Sequence, residues 1–214
     1  MGYTLEGDVD ANRRDWDKAA SAYRTGIRQQ PSAELAVKLH SVLLASGADA
    51  QARTFETGWR KDHPDDSIFV FHVGDAALAR KDYAAAESAY AAVLKLQPAN
   101  AAAYNNLAWV ASLQNKPGAL AYAEKANELA PNQPAFMDTL ASILGAAGQV
   151  DKALVLQKKV VAMVPANNGF KLDLARLYVK AGNKTDARAE LDELAALGKK
   201  FPGQAEVVNL RKSL

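Results

Sequence analysis

Three histidines, His40, His63 and His72, are the side chains of this sequence best suited to metal binding or proton transfer. A helical metal site of the H-E-x-x-H kind needs two histidines four residues apart on one face, with an acidic partner in register. No pair here has that spacing. His40 is expected to be packed or half-buried, His63 in K-D-H-P-D-D to sit in a solvated turn, and His72 to face a helix contact or a groove. The carboxylates Asp65, Asp66 and Asp75 cluster loosely, but Asp65 and Asp66 suit helix capping. Gly145 and Gly148 in G-A-A-G-Q-V-D-K lack the spacing and strand context of a phosphate loop and read as a helix end. No serine stands in G-x-S-x-G, and there is no cysteine for a thiolate, a disulfide or a thiolate metal site. These residues predict no catalytic centre, no metal and no cofactor, so the chain is not expected to be an enzyme.

Composition narrows the class. Hydrophobic residues make up 49% but aromatics only 7%, with abundant alanine and 23% charge, a balance that favours closely packed helices over a thick aromatic core. The net charge of +2 is too even for a nucleic-acid or membrane-surface protein, whose affinity rests on clustered positive charge. No apolar run reaches the ~18 residues of a membrane helix, and Met1 to Leu5 lacks the regions of a signal peptide.

What positions the remaining residues is a repeat. Pro31, Pro64, Pro98, Pro131, Pro165 and Pro202 are spaced by 33, 34, 33, 34 and 37 residues. Proline cannot continue a helix interior, because it lacks the N–H and clashes with the previous turn. A second break falls about midway in each unit, at Arg14-Asp15, Gly47-Ala48, Lys81-Asp82, Lys116-Pro117-Gly118, Gly148-Gln149 and Gly182-Asn183; the glycines among these tolerate the left-handed conformation that ends helices. Each unit therefore reads as helix A, tight turn, helix B and proline joint. The clearest unit runs from Asp66 to Asn100, and A-A-A-Y-N-N-L-A-W-V-A begins the pattern again at Ala101.

Over almost its whole length the sequence resembles the tetratricopeptide repeat (TPR) family. The small residue of helix A stands at Gly7, Gly74, Ala108, Ala141 and Ala175, and the alanine opening helix B at Ala19, Ala52, Ala86, Ala119, Ala153 and Ala187. The bulky residue four further on is Tyr23, Tyr90 and Leu191, replaced by Ala123 and Gln157 in the fourth and fifth units. The small residues let two helices approach to ~8 Å. The second unit is degenerate, with His40 at the small position and Glu56 in place of an aromatic, yet it keeps Ala52, Phe55 and Trp59 as a core stripe. The resemblance implies an all-α, right-handed superhelical solenoid of antiparallel helix pairs. Its repeats run roughly over 1–31, 32–65, 66–99, 100–132, 133–166 and 167–201, the first incomplete, with 202–214 as a C-terminal capping helix. Because the pattern begins almost at Met1, the chain is expected to be part of a longer protein.

The resemblance also implies a function, that of a non-catalytic scaffold holding a peptide or partner protein in the concave groove lined by A helices. The family's groove positions fall on Ile68, Phe71, Asp75 and Leu78, then Asn105, Trp109, Ser112 and Leu113. They continue at Asp138, Ser142 and Gly145, and end at Leu172, Arg176, Val179 and Lys180. Trp109 is expected to project, since Tyr104, Leu107 and Ala108 take the packing positions; the alternative is that it packs on an adjacent helix. Asn105 and Asn106 can each donate to and accept from a peptide backbone. The candidate site is accordingly Phe71, Asp75, Asn105, Asn106, Trp109, Asp138 and Arg176. The carboxylate clamp of chaperone-binding members is not expected, because its positions hold Val37 and Ser41, Phe71 and Asp75, and Asn105 and Trp109.

A protein or peptide partner is expected, with no nucleic acid and no membrane insertion, while self-association stays open. The alanine-rich style is also similar to the C-terminal part of bacterial TPR lipoproteins of exopolysaccharide and PEP-CTERM export systems, which would imply a periplasmic, outer-membrane-tethered protein. A second function stays open beside the scaffold: the regulatory arm of an enzyme whose catalytic domain lies elsewhere.

Overall fold

The computed structural model describes residues 2–214. Among them are thirteen α-helices, one short 3-10 turn and no strand. They fall into two compact units that divide after Pro98. The first unit holds α1 (Gly2–Asn12), α2 (Trp16–Gln29), α3 (Ala33–Ala45), α4 (Asp49–Asp62), α5 (Ser67–Ala79) and α6 (Tyr83–Leu96). The second holds α7 (Ala101–Leu113), α8 (Ala119–Leu129), α9 (Pro134–Ala146), α10 (Val150–Met163), α11 (Asn168–Lys180), α12 (Lys184–Ala196) and α13 (Gln204–Lys212). Each unit is thus three helical hairpins, and the second adds α13.

Local chemistry sets these boundaries. The turns inside the hairpins pass through the left-handed region at Arg14, Gly47, Lys81, Asn115, Gly148 and Gly182. Gly47, Gly148 and Gly182 adopt it without a Cβ clash. After the proline joints, helix starts are capped by side chains that accept from the first turn: Ser32 from Leu35 N–H, Asp66 from Phe69 N–H, Asn100 from Ala103 N–H and Asn167 from Phe170 N–H. Each satisfies a backbone donor that the helix itself leaves unpaired. Asp66 alone of the Asp65–Asp66 pair caps α5, and its second oxygen accepts the indole N–H of Trp59 at 2.8 Å, tying α4 to α5.

Packing within the hairpins obeys a size rule. Where helix B carries tyrosine, helix A carries glycine. A Cβ on Gly74 would lie 2.7 Å from a ring carbon of Tyr90, and one on Gly7 would clash with Tyr23 in the same way. Where helix B carries Ala123, Gln157 or Leu191, helix A has room for Ala108, Ala141 or Ala175, all fully buried. The sixth hairpin is closed by α13, whose Val207 is buried with Leu172, Ala175, Leu191 and Leu194. α1 has 11 residues where α3 and α5 have 13.

The second hairpin departs from the rule through His40. Its ring is 2% exposed and turns toward α5, where Nδ1 lies 3.0 Å from His72 Nε2, with Phe69 packed edge-on against it. Burial pushes both imidazoles down, His40 to about 4. The expectation of a solvated His63 is corrected: it is half-buried, its ring centroid 3.8 Å from that of Trp59. The carbonyl of Trp59 also accepts its N–H at the end of α4.

Candidate functional site

The expected site residues divide between the two units. In the first, Phe71 and Asp75 both meet Tyr90. The Phe71 ring stands edge-on to it at 5.4 Å, and Asp75 Oδ1 accepts the phenol hydrogen at 2.6 Å. The same device occurs two hairpins earlier, where Tyr23 donates to Asp8 Oδ1 at 2.7 Å. Asp8 also receives Lys38 Nζ at 2.6 Å. That ammonium draws the Asp8 carboxyl below its usual range, and the three residues tie α1, α2 and α3 together. Phe71 and Asp75 therefore serve the hairpin they sit in, which their placement at groove positions did not disclose.

In the second unit α7, α9 and α11 lie side by side, with α8, α10 and α12 completing their hairpins. Trp109 is 40% exposed on α7, with Leu113 equally exposed one turn on. Leu107 and Ala108 are buried, and Tyr104 rests against Tyr122. Trp109 is thus partly exposed and partly covered. The asparagines differ from expectation. Asn105 donates to Asn106 Oδ1 at 3.2 Å, so the pair binds itself, and Asn105 Oδ1 is left buried with no donor.

Asp138 and Arg176 are brought to one polar cluster on α9, α10, α11 and α13. Gln157, fully buried on α10, donates from Nε2 to Asp138 Oδ1 at 2.6 Å and to the Phe170 carbonyl at 3.1 Å. Its own Oε1 accepts from nothing. Burial, reinforced by the charge of Asp173, pushes the Asp138 carboxyl up to about 6. Burial raises Asp173 as well. Arg176 is not a free groove cation: its Nε and Nη2 grip Glu206 on α13 at 2.6 Å each, and Nη1 pairs with Asp173. Beside the cluster is a hollow of about 210 Å³ lined by Ser142, Gly145, Gln157, Asp173, Arg176 and Lys180, among others. Gly145 makes room for Leu177 of α11, since a Cβ there would come within 2.5 Å of it.

Sequence reasoning missed Asp173 and Glu206, which carry no motif. Gln157 did leave a signal, being a polar residue in the register of a buried bulky one. The described residues hold no group of three or more histidines and carboxylates able to bind a metal ion. None of their helices is long and apolar enough to cross a membrane.

Stacked helical hairpins of this length, joined by prolines and closed by small residues, define a tetratricopeptide-type repeat protein. Two tetratricopeptide repeat models match the chain, over residues 73–134 and 144–214; together they span more than half of it, and the chain belongs to that family. Its fold is similar to that of PilF of Pseudomonas aeruginosa, with TM-score 0.77 and 20% identity, over 100% of this chain and 96% of that one. A tetratricopeptide repeat protein from Parabacteroides merdae aligns with TM-score 0.74 and 16% identity, over 91% of this chain and 78% of that one. YrrB, described as a TPR protein with an unusual peptide-binding site, aligns with TM-score 0.66 and 18% identity, over 90% and 99%. Likeness at these identities shows the fold alone. No curated protein matches the chain significantly. Neither the family models nor these structures support the likeness to exopolysaccharide-export lipoproteins.

Proposed function

We propose that this protein is a non-catalytic interaction scaffold whose second unit holds a peptide segment of a partner on the face formed by α7, α9 and α11. The observation that carries this reading is Trp109. An indole 40% exposed beside an equally exposed Leu113 is a large apolar surface left in water, and aromatic anchors of this kind dominate binding energies at protein interfaces. The polar cluster at Asp138 lies on the same helix layer and supplies acceptors for the rest of the segment. The family supports the class of function, and the peptide-binding site ascribed to YrrB supports a peptide as the form of ligand.

Selection of random displayed peptides against the chain tests this. Enriched peptides are expected to lose at least tenfold in affinity to Trp109→Ala, the cost of one anchor of about 1.4 kcal/mol or more. They should bind unchanged to Val155→Ala, which removes a side chain 74% exposed on α10. Failure to enrich any peptide, or equal binding to both variants, would overturn the assignment.

A further inference from the structure

The unpaired Oε1 of Gln157 is a feature the fold does not explain. A buried amide oxygen without a donor costs free energy that an apolar side chain at this register, such as Leu191 one hairpin later, would avoid. The Nε2 hydrogens are both committed, to Asp138 and to the Phe170 carbonyl, so the amide cannot be turned over to pair the oxygen without stranding two acceptors. Gln157 also lines the hollow with Asp173, and both Asp173 and Asp138 are held above the usual carboxylate range by burial. A buried acceptor without a donor, beside carboxyls that burial holds above their usual range even with Arg176 close by, calls for a compact group that brings N–H donors and positive charge.

We propose that the hollow between α9, α10 and α11 receives a lysine side chain of the bound segment, its ammonium donating to Gln157 Oε1 and Asp173. This deepens the partner-binding reading and rests on it for the source of the lysine. The ammonium carries three donors in a small volume on a thin apolar stem, which suits a hollow of about 210 Å³ whose wall includes Gly145, Ala146 and Leu177. An anion fits worse. Arg176 is already committed to Glu206 and Asp173, and an incoming carboxylate would face Asp173 while leaving Gln157 Oε1 unpaired. An apolar side chain would leave Gln157 Oε1 sealed from water without a donor. The charged groups lining the hollow are Asp173, Arg176 and Lys180 on α11, with Gln157 from α10; Asp138 on α9 and Glu206 on α13 complete the cluster beyond that lining. With the carboxylates ionised, the three acids outnumber the two bases, so one further positive charge balances the cluster.

The test needs no partner. The ¹⁵N-labelled chain is titrated with N-acetyl-lysine methylamide, and separately with the norleucine and glutamate methylamides, while the Gln157 side-chain amide and the Ser142 and Gly145 N–H signals are followed. The lysine compound is expected to give saturable shifts with a Kd on the order of 1 mM, at least fivefold weaker in Asp173→Asn. The norleucine compound, which keeps the stem and lacks the ammonium, should give none. If Asp173→Asn does not fold, Ser142→Phe, which places bulk at the exposed edge of the hollow, should abolish the same shifts. Absence of saturable shifts with lysine, equal shifts with norleucine or glutamate, or an unchanged Kd in the folded variant would overturn the proposal. Such a failure would leave the Trp109 reading standing, since that is measured with different probes at a different residue.

Discussion

The hydroxyl of Tyr90 reaches Asp75 Oδ1 at 2.6 Å by passing over Gly74, the one residue of α5 whose missing side chain makes room for the ring. Glycine, aspartate and tyrosine form a single device, repeated at Gly7, Asp8 and Tyr23. Small residues at hairpin contacts are thus matched to the particular side chain opposite, rather than small in general.

That match makes a stability prediction. Gly74→Ala places a Cβ 2.7 Å from a fully buried aromatic carbon, and overpacking of this kind costs about 1–3 kcal/mol. Combining it with Tyr90→Leu reproduces the Ala175–Leu191 pairing of the sixth hairpin, so the double variant should lose less than the sum of the two single ones, by about 1 kcal/mol. Urea midpoints of the four proteins measure this, and strict additivity would show that the ring does not depend on the glycine.

Acid should loosen the first unit through His40. Its folded pKa lies near 4, lowered first by burial and then by His72 and Arg80, against about 6.5 in an unfolded chain. The unfolded state therefore binds more protons between these values. The stability that depends on neutral His40 is present above pH 6.5 and is lost as pH falls through 4. His40→Leu, which cannot titrate, should flatten the pH dependence of the urea midpoint over this window. An equally steep dependence in the variant would assign the acid sensitivity elsewhere.

Asp138 carries the opposite sign. Its folded pKa of about 6 stands above the unfolded value near 4, so its contribution to stability is fully present below pH 4 and is lost as pH rises through 6. The groups acting on it are Asp173 and Arg176 on α11 and Gln157 on α10. Asp138→Asn keeps an oxygen for Gln157 Nε2 and removes the charge. It should be more stable than wild type at pH 7, by about 1 kcal/mol, less than the full shift corresponds to because the carboxyl keeps part of its water. The two proteins should be nearly equal at pH 4, and a constant difference across that range would contradict the assignment.

Most of the hairpin boundaries were legible in the chain, because proline joints and left-handed turns are steric properties of a few adjacent residues. Pro64 and Pro98, with Gly47, Gly148 and Gly182, mark breaks wherever they occur. The small residue of helix A and the alanine opening helix B were legible for a related reason: a period near 34 repeats the same contact, so each position is seen several times. Trp109 could be placed on α7, but two environments suited it, and its 40% exposure follows from the packing of the neighbouring helices rather than from its position in the repeat.

The sequence by itself determined an all-helical array of hairpins, the register of each, and the absence of any local motif for catalysis. The tertiary structure alone decided which distant side chains meet. His40 and His72 are 32 residues apart and touch because α3 packs on α5; Gln157, Asp138 and Asp173 meet because α10 and α11 both pack on α9. Periodicity gives each helix its inward face, whereas the partners across an interface depend on helix spacing and on side-chain volume, and these are settled only when all the neighbours are in place. For Gln157 that settlement leaves one oxygen buried without a donor, beside the hollow proposed to take a lysine.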